Sequence, residues 1–165
     1  INNSEKLKVL IIHTKFIGNI NSNEFKRIIK ILLNNKSLDI TVNIHPRSTI
    51  KEKKIIRNLS RKLFITEDYL PSLIMNNDLI IFFQSSAIID AFILGKHVIF
   101  PSFCTSNKLK DEIYNYCNIA SSPDEFYYLV SKINKSNYDN ILEKKKYSTP
   151  SFNDQLNNYI STINK

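Results

Sequence analysis

The stretches "LKVLIIHT" (Leu7 to Thr14), "LIIFFQ" (Leu79 to Gln84) and "HVIFP" (His97 to Pro101) carry Val, Ile, Leu and Phe on consecutive positions, without a polar residue at every second one. A strand with one face in water alternates, so strands that do not alternate must be covered on both faces. Segments of helical period stand between them. Asn23 to Leu33 places Phe25, Ile28, Ile29, Leu32 and Leu33 on one helical face, with Ser22 as its expected N-cap. Strand and helix patterns taking turns along the chain predict a parallel sheet with helices on both faces.

The remaining strands are expected at Asp39 to His45 ("DITVNIH") and Leu63 to Thr66, with a short sixth at Asn118 to Ala120. Helices are expected over Ile50 to Lys62, Tyr69 to Met75 and Ser86 to Leu94, the last ended by Gly95. Another starts at Pro123, with Asp124 and Glu125 in its first turn, and two more cover Tyr138 to Lys146 and Phe152 to Ile163. A chain of 165 residues is the size of one domain, and 42% hydrophobic against 23% charged residues is the composition of a globular one.

Asp78, Gln84 and Asp90 interrupt the longest apolar run before it reaches the length of a membrane span, and no signal peptide is visible, which points to the cytoplasm. Cys104 and Cys117 form no CxxC pair, no His stands at zinc-ligand spacing, and no Asp-rich metal motif is present, so no metal is expected. The net charge of +8 favours an anionic partner. Part of that excess lies in Lys51 to Lys54 and Lys144 to Lys146, read here as solvated helix faces. The interleaved basic and aromatic residues of a nucleic-acid binder are missing.

In an open parallel sheet, ligands bind beyond the carboxyl ends of the strands. Three polar loops fall there: "HTKFIGNINS" with His13, Lys15 and Gly18, "HPRST" after the second strand, and "QSSAIID" after the fourth. Ser85 and Ser86 sit where a strand passes into a helix, so their hydroxyls and the following amides can hold a phosphate; a serine there is equally an ordinary N-cap. Pro46 stiffens the turn that carries His45 and Arg47, an imidazole and a guanidinium fork suited to phosphate or carboxylate, although a strand-end His can also serve local structure. Asp90 stands alone among apolar residues, either facing the crevice or paired with a structural cation. His97 reads as the start of a strand, and Glu67 and Asp68 as caps for the helix near Tyr69. The end of the first strand, "IIHT", lacks the carboxylate that a phosphoacceptor receiver needs.

"NIHPR" (Asn43 to Arg47), "NDLIIFFQSSAIIDAFILGKHVIF" (Asn77 to Phe100) and "FNDQLNNYISTI" (Phe152 to Ile163) together resemble the C-terminal, nucleotide-binding half of GT-B glycosyltransferases, above all bacterial capsule and surface-polysaccharide enzymes of the sialyltransferase, Kdo-transferase and CDP-glycerol-polymerase type. The resemblance implies a Rossmann-like parallel sheet of five to six strands, one half of a GT-B fold, with residues 1–165 forming a single domain. It implies His45 as the catalytic contact to the donor phosphate, with Arg47, Gln84, Ser85, Ser86, Asp90, His13 and Gly18 as nucleotide- and phosphate-binding residues. No cofactor is implied beyond a CMP-, CDP- or UDP-linked donor substrate. The partners implied are a saccharide or polyol-phosphate acceptor and an N-terminal GT-B domain, with peripheral contact to the anionic inner face of a membrane left open and nucleic acid not expected. UDP-N-acetylglucosamine 2-epimerases have a related pattern, with glycines and a Glu where Ser85, Ser86 and Asp90 stand here. The chain opens on Ile1, in keeping with a piece of a longer enzyme.

Overall fold

Six strands lie in one all-parallel sheet in a computed structural model that describes residues 5–16, 20–83, 85–105, 114 and 116–142. They are β1 (Leu7–His13), β2 (Leu38–Ile44), β3 (Phe64–Thr66), β4 (Leu79–Phe82), β5 (His97–Pro101) and β6 (Asn118–Ala120). The order across the sheet is β3-β2-β1-β4-β5-β6. The register runs from Leu7 opposite Leu38 to His13 opposite Ile44 on one side of β1, and from Val9 opposite Leu79 to Ile12 opposite Phe82 on the other. The chain winds outward from β1 to β3, then returns to place β4 on the other side of β1. Connections therefore diverge between β1 and β4, and a crevice opens there at the carboxyl rim.

The strands without polar alternation are covered on both faces, as expected: Leu79, Ile80, Ile81 and Phe82 are all fully buried. Leu7, Val9, Ile11 and Ile81 face a core closed by α1 (Ser22–Asn34), α2 (Ile50–Arg57) and α5 (Pro123–Ser131). Leu10, Ile12, Ile80 and Phe82 face a second core closed by α3 (Leu70–Asn76) and α4 (Ile88–Ile93). Adjacent side chains on a central strand thus serve opposite layers, which is why the sequence reads as a continuous apolar run.

Several helix boundaries differ from the sequence reading, each for a local reason. The N-cap of α1 is Asn21, not Ser22: its side-chain Oδ1 accepts the Asn23 and Glu24 amides at 3.0 and 3.2 Å. The second helix stops at Arg57, where the Asn58 amide turns back onto Lys54 and Ile55 carbonyls. The fourth begins at Ile88 because Ser85 and Ser86 form a tight turn first, their carbonyls accepting the Ile88 and Ile89 amides. It ends as expected at Gly95, whose φ of +62° is a left-handed C-terminal conformation. The short α6 (Tyr138–Ile141) covers the start of the stretch expected to be helical. Its continuation to Lys146 and the segment Phe152 to Ile163 lie outside the described residues.

Candidate functional site

The crevice between β1 and β4 holds a cavity of about 540 Å³ at the carboxyl rim, lined by the ends of β1 and β2 and by the segments that follow the first four strands. His13 and Thr14 come from the end of β1, Asn43 from β2, His45 and Pro46 from the turn that follows, Asp68 and Tyr69 from the loop after β3, and Ser85, Ser86 and Asp90 from the passage between β4 and α4. Five of the residues singled out in the sequence, His13, His45, Ser85, Ser86 and Asp90, therefore meet in one cavity. Arg47 is exposed on the same turn as His45 and is not part of the lining. Gln84 and Gly18 lie outside the described residues.

His45 is presented by a β-turn with Pro46 at its second position, closed by the Ser48 amide donating to the His45 carbonyl at 2.9 Å. The imidazole is oriented in turn: its Nδ1 accepts the Arg47 amide at 3.0 Å. A neutral ring whose Nδ1 accepts carries its proton on Nε2, so Nε2–H is the donor left for a ligand. Partial burial, and then the charges of Lys15 and Arg47, pull His45 below the usual histidine range, with Glu52 opposing. The ring is thus neutral at pH 7.

His13 is a different kind of histidine. It is 1% exposed, edge-on to Phe16 and Phe25 at 4.6 and 5.2 Å, and neither nitrogen has a hydrogen-bond partner among the described residues. Burial takes its pKa from 6.5 to about 4, with Glu52 raising it and His45 lowering it by smaller amounts. It cannot supply positive charge to a phosphate at neutral pH. Lys15 and Arg47 are both close enough for their charges to act on His45, although neither lines the cavity.

The Ser85 hydroxyl accepts the Ala87 amide at 3.3 Å within the turn before α4; the N-cap of that helix is Ala87, which makes no side-chain cap bond, so neither serine takes the N-cap role expected of it. A hydroxyl that accepts still has its own proton to donate into the cavity. Asp90 is half-buried on the first turn of α4, faces the cavity, and forms no ion pair among the described residues. Glu67 and Asp68 do not cap α3, whose N-cap Tyr69 makes no side-chain bond. Glu67 instead pairs with Lys53 at 2.6 Å and Arg57 at 3.2 Å, so part of the Lys51 to Lys54 patch is neutralised within the fold.

The sequence reading missed Asn43, Thr14, Tyr69 and Glu52. Asn43 is buried and its amide donates to the Asp68 carbonyl at 3.2 Å, tying β2 to the loop after β3. Tyr69 stands 75% exposed on the cavity rim and presents a ring to whatever enters. An aromatic two positions before a proline, at the entry to a helix, was a readable signal; the burial of Asn43 was not. His97 starts β5 as expected and is buried, with Nε2 2.7 Å from Asp139. Both cysteines are buried and reduced, and burial, then the Glu24 charge, pushes the Cys104 thiol far above its ordinary range. Among the described residues no His, Cys, Asp and Glu cluster could hold a metal, and no helix is long and apolar enough to cross a membrane.

Known structures with this architecture include a Listeria monocytogenes protein assigned as a UDP-N-acetylglucosamine 2-epimerase, 14% identical with a TM-score of 0.58 over 98% of this chain and 44% of that one. The UDP-GlcNAc 2-epimerase of Methanocaldococcus jannaschii, in complex with UDP-GlcNAc and UDP, is 17% identical with a TM-score of 0.57 over 97% and 46%. The glycotransferase of kitacinnamycin is 9% identical with a TM-score of 0.52 over 96% and 39%. These are GT-B-type enzymes. The chain has the fold of one half of them. It spans less than half the length of each of these structures, and at these identities the likeness is one of fold. No family model and no curated protein matches the sequence.

Proposed function

We propose that the chain is the donor-nucleotide-binding domain of a glycosyltransferase or glycerophosphotransferase, the C-terminal half of a longer enzyme of bacterial surface-polysaccharide synthesis, working in the cytoplasm at the inner face of the membrane. The observation that carries this reading is the meeting of His45, Ser85, Ser86 and Asp90 in one cavity at the switch point of a parallel sheet. In this reading the donor is a CMP-, CDP- or UDP-linked sugar or polyol. The Nε2–H of His45 and the hydroxyls of Ser85 and Ser86 donate to phosphate oxygens, and their hydrogen bonds strengthen as negative charge builds on the departing nucleotide. Lys15 and Arg47 add positive field at the mouth. Asp90 accepts from sugar hydroxyls, and the Tyr69 ring offers a face to the base. The acceptor, a saccharide or polyol phosphate, and the group that activates it are supplied by an N-terminal domain.

Several structures of the same fold are UDP-GlcNAc 2-epimerases, and complexes with UDP-GlcNAc make uridine diphosphate the first probe to try. An epimerase reading of this chain is weakened by the serines at positions 85 and 86. The expected result of calorimetric titration of the full chain with CMP, CDP, UDP and GDP is saturable binding of at least one pyrimidine nucleotide. Replacing Ser85 and Ser86 together by Ala weakens it about tenfold or more, the scale of lost hydrogen bonds to a charged group. A folded chain that binds none of the four would remove the proposal. Binding of any polyanion with a steep salt dependence, indifferent to the two serines, would favour a basic interaction module instead.

A further inference from the structure

The carboxylate of Glu52 lies outside the cavity wall yet holds two of the loops that form it. In a capping box the third helical residue returns one bond to the N-cap amide, and Glu52 does so: its Oε2 accepts the Thr49 amide at 2.7 Å, while Thr49 Oγ1 accepts the Glu52 amide at 3.2 Å. The other oxygen leaves the helix. Oε1 accepts the Phe16 amide at 2.7 Å, 36 residues away in sequence, on the loop that follows β1. Glu52 is only 5% exposed, although it sits in a lysine-rich stretch of α2. Capping α2 needs one oxygen and no burial; the bond to Phe16 has no helix-capping purpose.

The loop after β1 carries Thr14, Lys15 and Phe16, and the turn after β2 carries His45, Pro46 and Arg47. We propose that Glu52 is the positioning residue of the crevice: its carboxylate bridges these two segments and so fixes where the His45 imidazole stands relative to a phosphate bound in the cavity. The ligand half of this statement rests on the function proposed above; the bridge itself does not.

The electrostatics agree with the geometry. Burial pushes the Glu52 carboxyl up, but the Thr49 and Phe16 amides, the Thr49 hydroxyl bond and His13 together hold it below the usual carboxylate range. The groups that act on His45 are Lys15 from the loop after β1, Arg47 from its own turn and Glu52 from α2, and Glu52 alone of these raises its proton affinity. Glutamine at position 52 keeps the shape but offers one acceptor oxygen where two amides need one each, and it removes the charge.

The test compares the full chain with Glu52→Gln and Thr49→Ala. The second variant removes the Thr49 hydroxyl, and with it the bond that caps α2 and the hydroxyl's contribution at the Glu52 carboxylate, while leaving the negative charge and both amide donors in place. Expected for Glu52→Gln are a downward move of the His45 titration midpoint, read by NMR of the imidazole, and about tenfold weaker UDP binding, the effect of losing one charge-assisted bond to a loop. Thr49→Ala lowers thermal stability and leaves both readings unchanged. The inference is overturned by an unmoved His45 midpoint in Glu52→Gln, or by Thr49→Ala reproducing both effects through simple fraying of the helix. Should the unaltered chain bind none of CMP, CDP, UDP and GDP, the nucleotide reading falls, and the His45 midpoint still decides whether Glu52 sets the imidazole; should it bind CMP or CDP and not UDP, that nucleotide replaces UDP in the comparison. A Phe16 amide that exchanges with solvent as freely as an open loop in the unaltered chain overturns the bridge without any variant.

Discussion

His45 stands close enough to His13 to lower its proton affinity, yet their surroundings assign the two opposite parts. One is sealed between Phe16 and Phe25; the other is half-buried at the cavity wall with its tautomer set by a backbone amide. The sealed one has a measurable consequence. The unfolded chain takes up a proton on His13 near pH 6.5, the folded chain only near pH 4. Stability from this residue is therefore complete above pH 6.5, declines as pH falls through the interval, and is lost below about 4. The decline amounts to about 3 kcal/mol for a shift of this size. Urea unfolding at pH 7.5 and 4.5 should show it, and His13→Leu should lose less on acidification than the unaltered chain. Equal losses in the two proteins would mean that His13 is protonated in the fold. In the sequence both histidines were legible as strand-end residues. Only the packing of Phe25, twelve positions on and in a helix, makes one of them a core residue.

At the scale of single elements, boundaries follow from backbone bonds that a propensity pattern does not record. Asn21 and Ser22 are both good N-caps by residue type. Asn21 takes the role, and its own amide is tied to the Cys104 carbonyl at 2.8 Å, which sets the start of α1 one residue earlier. The C-terminus of α4 was legible because one residue type solves it. Gly95 has no atom within 4 Å of a would-be Cβ, so its constraint is the φ of +62° and not space. Gly95→Ala should cost about 1 kcal/mol through left-handed backbone strain, and Gly95→Asn less. The check is a lower urea midpoint at unchanged slope; an Ala variant as stable as the parent would show that the turn relaxes. Ser85 and Ser86 were rightly placed at the exit of a strand, but the turn they make before α4 depends on which carbonyls the next amides find.

For the whole molecule, one sheet serves two cores, and β4 faces both. Ile80 packs on the α3 and α4 side and Ile81 on the α1, α2 and α5 side, each with no exposed surface. Layers that share central strands should melt together. Ile80→Val and Ile81→Val should each cost about 1 kcal/mol and move the same single transition, seen alike by near- and far-ultraviolet circular dichroism. Two separate transitions, each moved by only one of the variants, would mean that the layers are independent.

The six strand positions, the burial of the central strands on both faces and the three polar loops at the strand ends could be read from residue order alone, because apolar periodicity records how each element must be covered; the edge strands β3 and β6 leave Phe64 and Ile119 exposed. Those local facts also placed His45, Ser85, Ser86 and Asp90 on one rim. The order β3-β2-β1-β4-β5-β6, the sealing of His13 and the bridge from Glu52 to Phe16 came only with the tertiary structure. Periodicity says which side of an element is turned inward, while the identity of the group that meets it depends on other segments, twelve residues away for His13 and Phe25 and 36 for Glu52 and Phe16. Glu52 shows the difference: among its neighbouring lysines it reads as part of a solvated face, and it becomes a buried anchor because the loop after β1 brings an amide that needs an acceptor.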